Sequence, residues 1–362
     1  MEMDLKLTPL FEKHKKLGAK IEAFAGWSMP IQYHSIISEH NWTRSSCSVF
    51  DTCHMGEFII HGEPKESNLD MVLTADLENV DINSCRYCFM LNENGGIIDD
   101  LLVYRIKKDK WMLVVNAATS KKDEAHLRKH LYTKLENSSE DTAKLDLQGP
   151  SSRDVLRDLV GPDIDRLKYY HFDYFFIFGE KVLISRTGYT GELGYELYIG
   201  SERVGKIWNL LLSDKRVGPA GLGARDTLRL EMGYPLYGQD MDEKTTPIEA
   251  GLVRFVYLEK EFIGRSVLLK QKEEGVKKRL ICFIANSRRS PRHNYKICVD
   301  KNEIGFVTSG TFSPSLSCGI GMGYIDPDYY KIGSKIAIRE GKIEIGATIT
   351  NRPFYKRGSL RD

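Results

Sequence analysis

The sequence predicts an α+β fold. Strand and helix signals are interspersed without the strict strand–helix–strand alternation of a doubly wound sheet. After about Gly264 the pattern changes to many short β-runs separated by Gly, Asn and Pro, which reads as a compact all-β module. The chain has 362 residues, 41% hydrophobic and 28% charged, enough for a sizeable core. That length corresponds to roughly two to three domains of about 150 residues.

In chain order, Ile36 to Arg44 has helical spacing, and Phe24-Ala25-Gly26-Trp27-Ser28-Met29-Pro30 reads as a turn. Val49-Phe50-Asp51 leads into the alternating strand Glu57-Phe58-Ile59-Ile60, which stops at Gly62. A short helix is expected over Ser67 to Leu73. Asn94-Gly95-Gly96 is a tight turn feeding the strand Ile97-Ile98-Asp99-Asp100-Leu101-Leu102-Val103-Tyr104. A charged turn, Lys107 to Lys110, precedes the strand Trp111 to Asn116, and Ser120 to Lys134 is helical. Lys144 to Gln148 is a strand entering a helix, with Ser151 and Ser152 as cap candidates. Tyr174 to Phe178 and Lys181 to Ser185 form a hairpin about Gly179. Helices follow over Arg203 to Leu212, Gly221 to Met232 and Ser266 to Glu274.

Composition excludes several function classes. A formal net charge of +2 argues against nucleic acid as the main partner. No apolar run approaches the ~18 residues of a membrane helix. Met1-Glu2-Met3-Asp4-Leu5-Lys6 carries acid early and has no apolar signal core, which reads as a cytoplasmic start. The seven cysteines are odd in number and scattered, unlike a disulfide framework. Cys85-Arg86-Tyr87-Cys88 is a single C-x-x-C pair, and zinc sites need four ligands, so no metal is expected. There is no G-x-S-x-G, no H-E-x-x-H and no P-loop. His54 reads as a structural histidine.

Three clusters carry the chemistry. Asp99 and Asp100 are carboxylates at the head of an apolar strand, where an unbound charge is costly. Alternation puts Asp100 on one face with Ile98, Leu102 and Tyr104, and Asp99 on the other with Ile97 and Leu101. A return strand across Lys108 sets Tyr104 opposite Met112 and Asp100 opposite Asn116. The pair equally suits a turn-ending role, with backbone N–H groups bound to the carboxylates. In the second cluster, Arg186-Thr187-Gly188-Tyr189-Thr190-Gly191-Glu192-Leu193-Gly194-Tyr195-Glu196, the glycines let the loop lie close to a ligand. Tyr189, Tyr195 and Glu196 suit a planar heterocycle bearing amino groups, or simply a packed Gly-rich connection. The third, Gly221-Leu222-Gly223-Ala224-Arg225-Asp226, offers Arg225 as a clamp for an anionic group or as a partner of Asp226 or Glu231.

Together these segments closely resemble the aminomethyltransferase (T-protein) family of the glycine cleavage system, nearly end to end. The resemblance rests on Thr8-Pro9-Leu10-Phe11, Phe24-Ala25-Gly26-Trp27, Phe50-Asp51 with His54-Met55-Gly56-Glu57, and Asn94 through Leu101. It continues through Arg186 to Glu192, Gly221 to Asp226, Leu236-Tyr237-Gly238-Gln239-Asp240, Thr308-Ser309-Gly310 with Ser313-Pro314, and Pro353-Phe354-Tyr355. It implies a three-domain cloverleaf around a central folate channel. Residues 1–52 with about 141–265 interleave with 53–140 as two α+β domains, and 266–362 form a C-terminal β-barrel. The implied activity moves the one-carbon unit of the aminomethyl group on lipoylated H-protein to tetrahydrofolate, with ammonia released and no metal. Asp100 matches the family's catalytic aspartate. Met55, Tyr87, Tyr104, Asn116, Tyr189, Glu196, Arg225 and Tyr234 match its folate-contacting positions. The alternatives are a folate-dependent demethylase and a non-enzymatic folate-binding relative; the K-G-C-x-x-G-Q string of the latter is absent. Departures from the family pattern include Cys53 for Ser, Leu193 for Asp, Asn83-Ser84-Cys85-Arg86 for a Gly-rich turn, and Asp146 in a usually apolar L-x-L-Q-G-P stretch.

Overall fold

Two antiparallel-rich sheets face each other, and a closed barrel packs beside them, in a computed structural model that describes residues 5–360. Most of the acid-early start read at Met1–Lys6 lies outside the described residues. The chain enters a six-stranded sheet at Cys47–Asp51 and then builds a five-stranded sheet. The latter runs Ser84–Leu91, Ile97–Lys107, Lys110–Val115, Gly56–His61 and Leu135–Asn137 across its width. The chain returns at Thr142–Gln148 and adds Phe172–Ile177, Glu180–Ser185, Gly194–Gly200 and Val217–Pro219 to the six-stranded sheet. No helix among the described residues is long and apolar enough to cross a membrane.

Each sheet has one greasy face and one face turned to its neighbour. In the six-stranded sheet Leu145, Leu147, Ile184 and Leu197 bury against Val155, Ile207 and Trp208 of the helices Ser152–Val160 and Val204–Ser213. The opposite face carries Lys144, Asp146, Gln148 and Glu196, all buried. In the five-stranded sheet Phe58, Val103, Trp111 and Leu113 bury against Leu69, Val72 and Leu127 of the helices Leu69–Val72 and Ser120–His130. Its other face sends Tyr104, Met112 and Val114 onto Phe172, Leu183 and Tyr198 of the six-stranded sheet. The helix Leu222–Glu231 packs Ala224 and Leu228 on Phe50.

Several local expectations shift. Trp27–Gln32 is a strand, and the turn before it is confined to Ala25 and Gly26, both at positive φ. The helix from Ser120 ends at His130, and Leu135–Asn137 becomes an edge strand. Neither Ser151 nor Ser152 caps its helix by a side-chain bond. Cys85 and Cys88 are three apart on a strand and so face opposite ways, Cys85 toward Tyr104 and Cys88 toward Leu101.

The Asp hairpin departs from simple alternation at one point. Met90 pairs with Asp99 and Leu91 with Ile97, so Ile98 is an extra residue, a β-bulge. Ile98 therefore joins Leu101 and Val103 in the core, not the face of Asp100 as alternation predicts, and Ile97 packs with Phe89 and Leu91. Beyond the bulge the expected register holds, with Tyr104 opposite Met112. In the turn only Gly95 has a positive φ, 76°. Gly96 is required for space, since a Cβ there would lie 1.8 Å from the Glu243 carbonyl oxygen. Gly96→Ala is expected to cost about 1–3 kcal/mol through forced backbone movement. Thermal unfolding checks this, and an unchanged midpoint would contradict the close approach.

Six strands close the barrel, with Ile281, Phe283, Ile297, Val307, Ile338 and Ile349 filling its interior. Two acidic residues tie it to the rest. Asp240 accepts from Thr308 Oγ1 at 2.5 Å, Ser309 Oγ at 2.8 Å and Arg229 at 2.8 Å. Glu231 accepts from Ser313 Oγ, Ser315 Oγ and Arg44 at 2.5, 2.8 and 2.8 Å. After the barrel, the tail crosses back and docks Ser359 on Glu192.

Candidate functional site

A cavity of about 1100 Å³ opens between the facing sheets, the Leu222–Glu231 helix and the loops before and after the barrel. Met55, Tyr87, Asp100, Asn116, Tyr189, Glu196, Arg225 and Tyr234 all line it. They come from both sheets, from the Gly-rich loop and from the helix start, so the fold assembles them from distant parts of the chain.

Asp100 is half-buried in the cavity wall. Tyr87 Oη donates to its Oδ2 at 2.8 Å, and Asn116 Nδ2 donates to its Oδ1 at 3.0 Å. Burial, then the adjacent Asp99 carboxylate, pushes its carboxyl up to about 7, against the two donors. Burial and Asp100 hold the Tyr87 phenol well above its ordinary range, so it stays a donor. Each Asp100 oxygen retains an acceptor position after these bonds.

Asp99 does something different from closing the turn. Its oxygens accept from the Asn116 backbone N–H at 3.0 Å and from Asn116 Nδ2 at 2.9 Å. The turn is closed instead by Asn92 Oδ1, which accepts from Asn94 N and Gly96 N. Asn116 thus joins the two carboxylates, and it stands one residue past the Lys110–Val115 strand, where it can swing toward both.

Glu196 comes from the Gly194–Gly200 strand and is buried. Its Oε1 accepts from Lys144 Nζ at 2.7 Å and its Oε2 from Thr187 Oγ1 at 2.6 Å. Lys144 Nζ also reaches Asp146 at 2.8 Å, and Arg225 Nη1 reaches the other Asp146 oxygen at 2.6 Å. Arg225 therefore pairs with Asp146, and neither expected partner is used: Asp226 pairs with Arg229 and Glu231 with Arg44. Burial alone would raise Asp146, but Lys144 and Arg225 outweigh it and bring it down to about 2. The same anions outweigh burial at Lys144 and keep it charged.

Tyr189 and Tyr234 stack with centroids 5.8 Å apart at 24°, and the Arg225 guanidinium lies 5.0 Å from the Tyr189 centroid. Tyr104 is the exception among the candidate residues. It is fully buried between the sheets, outside the cavity wall, with Oη 3.0 Å from Tyr198 Oη and 3.3 Å from Glu196. It is closed off because Phe172 and Tyr198 cover the strand face at its position. Its reach is through Glu196 alone. His54 also lines the cavity; burial pushes its imidazole down to about 4, so it is neutral at physiological pH.

Sequence reasoning passed over Lys144 as a site residue and noted Asp146 only as a departure. The signal was present: Lys144, Asp146 and Gln148 alternate with Leu145 and Leu147, the pattern of a strand with one polar face. At the cavity wall, Arg254 and Phe255, on the 3-10 turn Val253–Phe255, and Arg352 carry no local signal. Lys356 belongs to the basic tail Lys356-Arg357 and Arg361, which reads as a contact for H-protein or the folate glutamate or as a solvated end.

Residues 10–260 match the GCVT N-terminal domain, and residues 278–356 match the glycine cleavage T-protein C-terminal barrel domain. The chain is 46% identical to an aminomethyltransferase of Halothermothrix orenii, over 97% of this chain and 100% of that one. It is 41% identical to one of Thermotoga maritima, over 99% of both chains. The crystal structure of the glycine cleavage system aminomethyltransferase T from Bartonella henselae superposes with a TM-score of 0.91 at 33% identity, covering 98% of this chain and 99% of that one.

Proposed function

The chain belongs to the aminomethyltransferase (T-protein) family of the glycine cleavage system, and from that membership we propose that Asp100 is the reacting carboxylate in its central cavity. The activity is that of the family: the one-carbon unit of the aminomethyl group on lipoylated H-protein passes to tetrahydrofolate, giving 5,10-methylenetetrahydrofolate, ammonia and dihydrolipoyl H-protein. H-protein and folate are accordingly its partners.

The donor set suits folate. A heterocycle rich in N–H groups meets acceptors on Asp100 and Glu196, aromatic faces on Tyr189 and Tyr234, and a cation on Arg225 for a carbonyl or anionic group. Met55 supplies apolar wall. Glu196 presents fewer free acceptor positions than its composition suggests, because Lys144 and Thr187 already hold it. That fixes its orientation before any ligand arrives. Bound there, tetrahydrofolate supplies the amine that takes the carbon.

The protein's part is orientation, exclusion of water and one movable proton. Asp100 accepts that proton at a carboxylate oxygen while Tyr87 and Asn116 keep the group aimed. The observation that carries this reading is the Tyr87–Asp100–Asn116 arrangement in the cavity wall. Because burial and Asp99 lift Asp100 to about 7, its base form becomes dominant only above that pH. The rate of 5,10-methylenetetrahydrofolate formation is therefore expected to rise as pH increases through about 7 and then level off. A rate already flat from pH 5 upward at saturating substrates would contradict a proton-accepting Asp100.

A further inference from the structure

Behind Asp100 lies a second carboxyl group that takes no part in the proposed reaction. Asp123, on the Ser120–His130 helix, is fully buried. Neither of its side-chain oxygens accepts a well-formed hydrogen bond among the described residues; the Thr119 hydroxyl lies close enough to lower its carboxyl, against the larger effects of burial and Asp99. The nearby Thr119 hydroxyl donates to the Asn116 carbonyl at 3.0 Å. The neighbouring cation, Lys122, gives its ammonium to Glu243 at 2.7 Å and to Tyr237 Oη at 2.8 Å. What Asp123 does face is the Asp99 carboxylate. Two buried carboxylates in contact cannot both be ionised, whereas one shared proton turns their repulsion into a charge-assisted O–H···O bond.

We propose that Asp123 is a positioning residue that keeps its proton and donates it to Asp99, thereby fixing Asp99, the Asn116 amide that Asp99 holds, and through Asn116 the aim of Asp100. The proposal rests on the reading of Asp100 as the reacting carboxylate. The direction of charge agrees: burial first, then Asp99, pushes Asp123 up to about 10. Asp99 has acceptor positions to spare, since Asn116 uses one on each oxygen. Asn116 Nδ2 is the link: its two N–H groups serve three acceptors, Asp99 Oδ1, the Asp100 carbonyl and Asp100 Oδ1, at 2.9, 3.0 and 3.0 Å. The charged and titratable groups that act on this assembly are Lys122 on the helix, Asp100 and Tyr87 on the sheet, and Tyr237 and Glu243 on the loop before the barrel. The Asp99–Asp123 unit carries one negative charge, so Asp100 sits beside one anion and not two.

The test uses the full chain with Asp123→Asn, which keeps a neutral donor, and Asp123→Leu, which removes it. The infrared difference spectrum of wild type minus Asp123→Asn at neutral pH should show the carbonyl stretch of a protonated carboxylic acid. Asp123→Asn should keep the unfolding midpoint, kcat and the acid limb of the kcat profile close to wild type. Asp123→Leu should lose on the order of 10–100-fold in kcat through misaimed Asp100, with folate affinity retained. Absence of the infrared band overturns the proposal, as does an acid limb that drops in Asp123→Asn, since either means Asp123 is an anion. Equal activity of the Asn and Leu variants overturns the positioning role. Should Asp123→Leu fail to fold, the infrared band and the Asp123→Asn profile decide. Failure of the wild type to turn over with folate would refute the reading of Asp100 and leave the infrared result standing.

Discussion

Asp100→Asn is expected to lower kcat by about 10²–10⁴-fold while leaving folate affinity close to wild type. The variant is nearly isosteric. Its amide can present oxygen to Asn116 Nδ2 and its NH₂ to the Tyr87 oxygen, so the local bonds survive with Tyr87 turned from donor to acceptor. What it cannot do is accept a proton near neutral pH. Steady-state turnover with lipoylated H-protein, paired with calorimetric titration of tetrahydrofolate, separates the two effects. A kcat near that of wild type would remove Asp100 from the chemistry. A matching loss of folate affinity would make it a binding residue only.

The second large effect is on stability. Asp146 is fully buried and pairs with Lys144 and Arg225 at 2.8 and 2.6 Å, with Glu196 as the network's second anion. Asp146→Ala leaves a buried ammonium with Glu196 alone and a guanidinium without its carboxylate. A cost of about 3–5 kcal/mol is expected, typical of breaking one side of a buried ion pair. The pH dependence follows from the depressed carboxyl. Folding lowers Asp146 from 3.8 to about 2. Its stabilisation is therefore fully present above about pH 4 and is lost as pH falls toward 2. Lys144→Leu combined with Asp146→Ala should recover little of the loss, because buried Glu196 then loses its ammonium partner and Arg225 still lacks its carboxylate. Chemical unfolding of the two single variants and the double variant at neutral and acid pH checks this. If Asp146→Ala unfolds at the wild-type denaturant concentration, the network contributes nothing.

Much of the fold was legible because it is locally encoded. The Gly179 hairpin has Phe178 and Gly179 at positive φ between aligned strands, and the Ile36–Ser45 helix begins at Ser35, whose side chain accepts from Ser38 N. The family resemblance named residues that line one cavity, Tyr104 excepted, and their bonding partners were legible only in part. The bulge at Ile98 leaves no trace in a run of aliphatic residues, so alternation assigned that side chain to the wrong face. Tyr104 has the composition of a ligand contact, and what screens it is Phe172 and Tyr198 from a sheet encoded far along the chain. Arg225 had plausible partners next to it in sequence, yet its guanidinium reaches a strand about 80 positions earlier. Asp123 was hidden among the charges of an exposed-looking helix, since its burial, like that of Leu127, comes from the sheet the helix packs on. Segments without regular structure, such as 233–252, gave no period to read although they form much of the cavity wall.

The central claim is that this cavity is where folate accepts the one-carbon unit. A single-turnover experiment with preformed aminomethyl-lipoyl H-protein and excess enzyme tests it most directly, following ammonia release with and without tetrahydrofolate. The structure predicts fast release only with folate, matched by 5,10-methylenetetrahydrofolate, and slow release by Asp100→Asn at the same folate saturation. Equal release by wild type without folate, or by Asp100→Asn with it, would contradict the account.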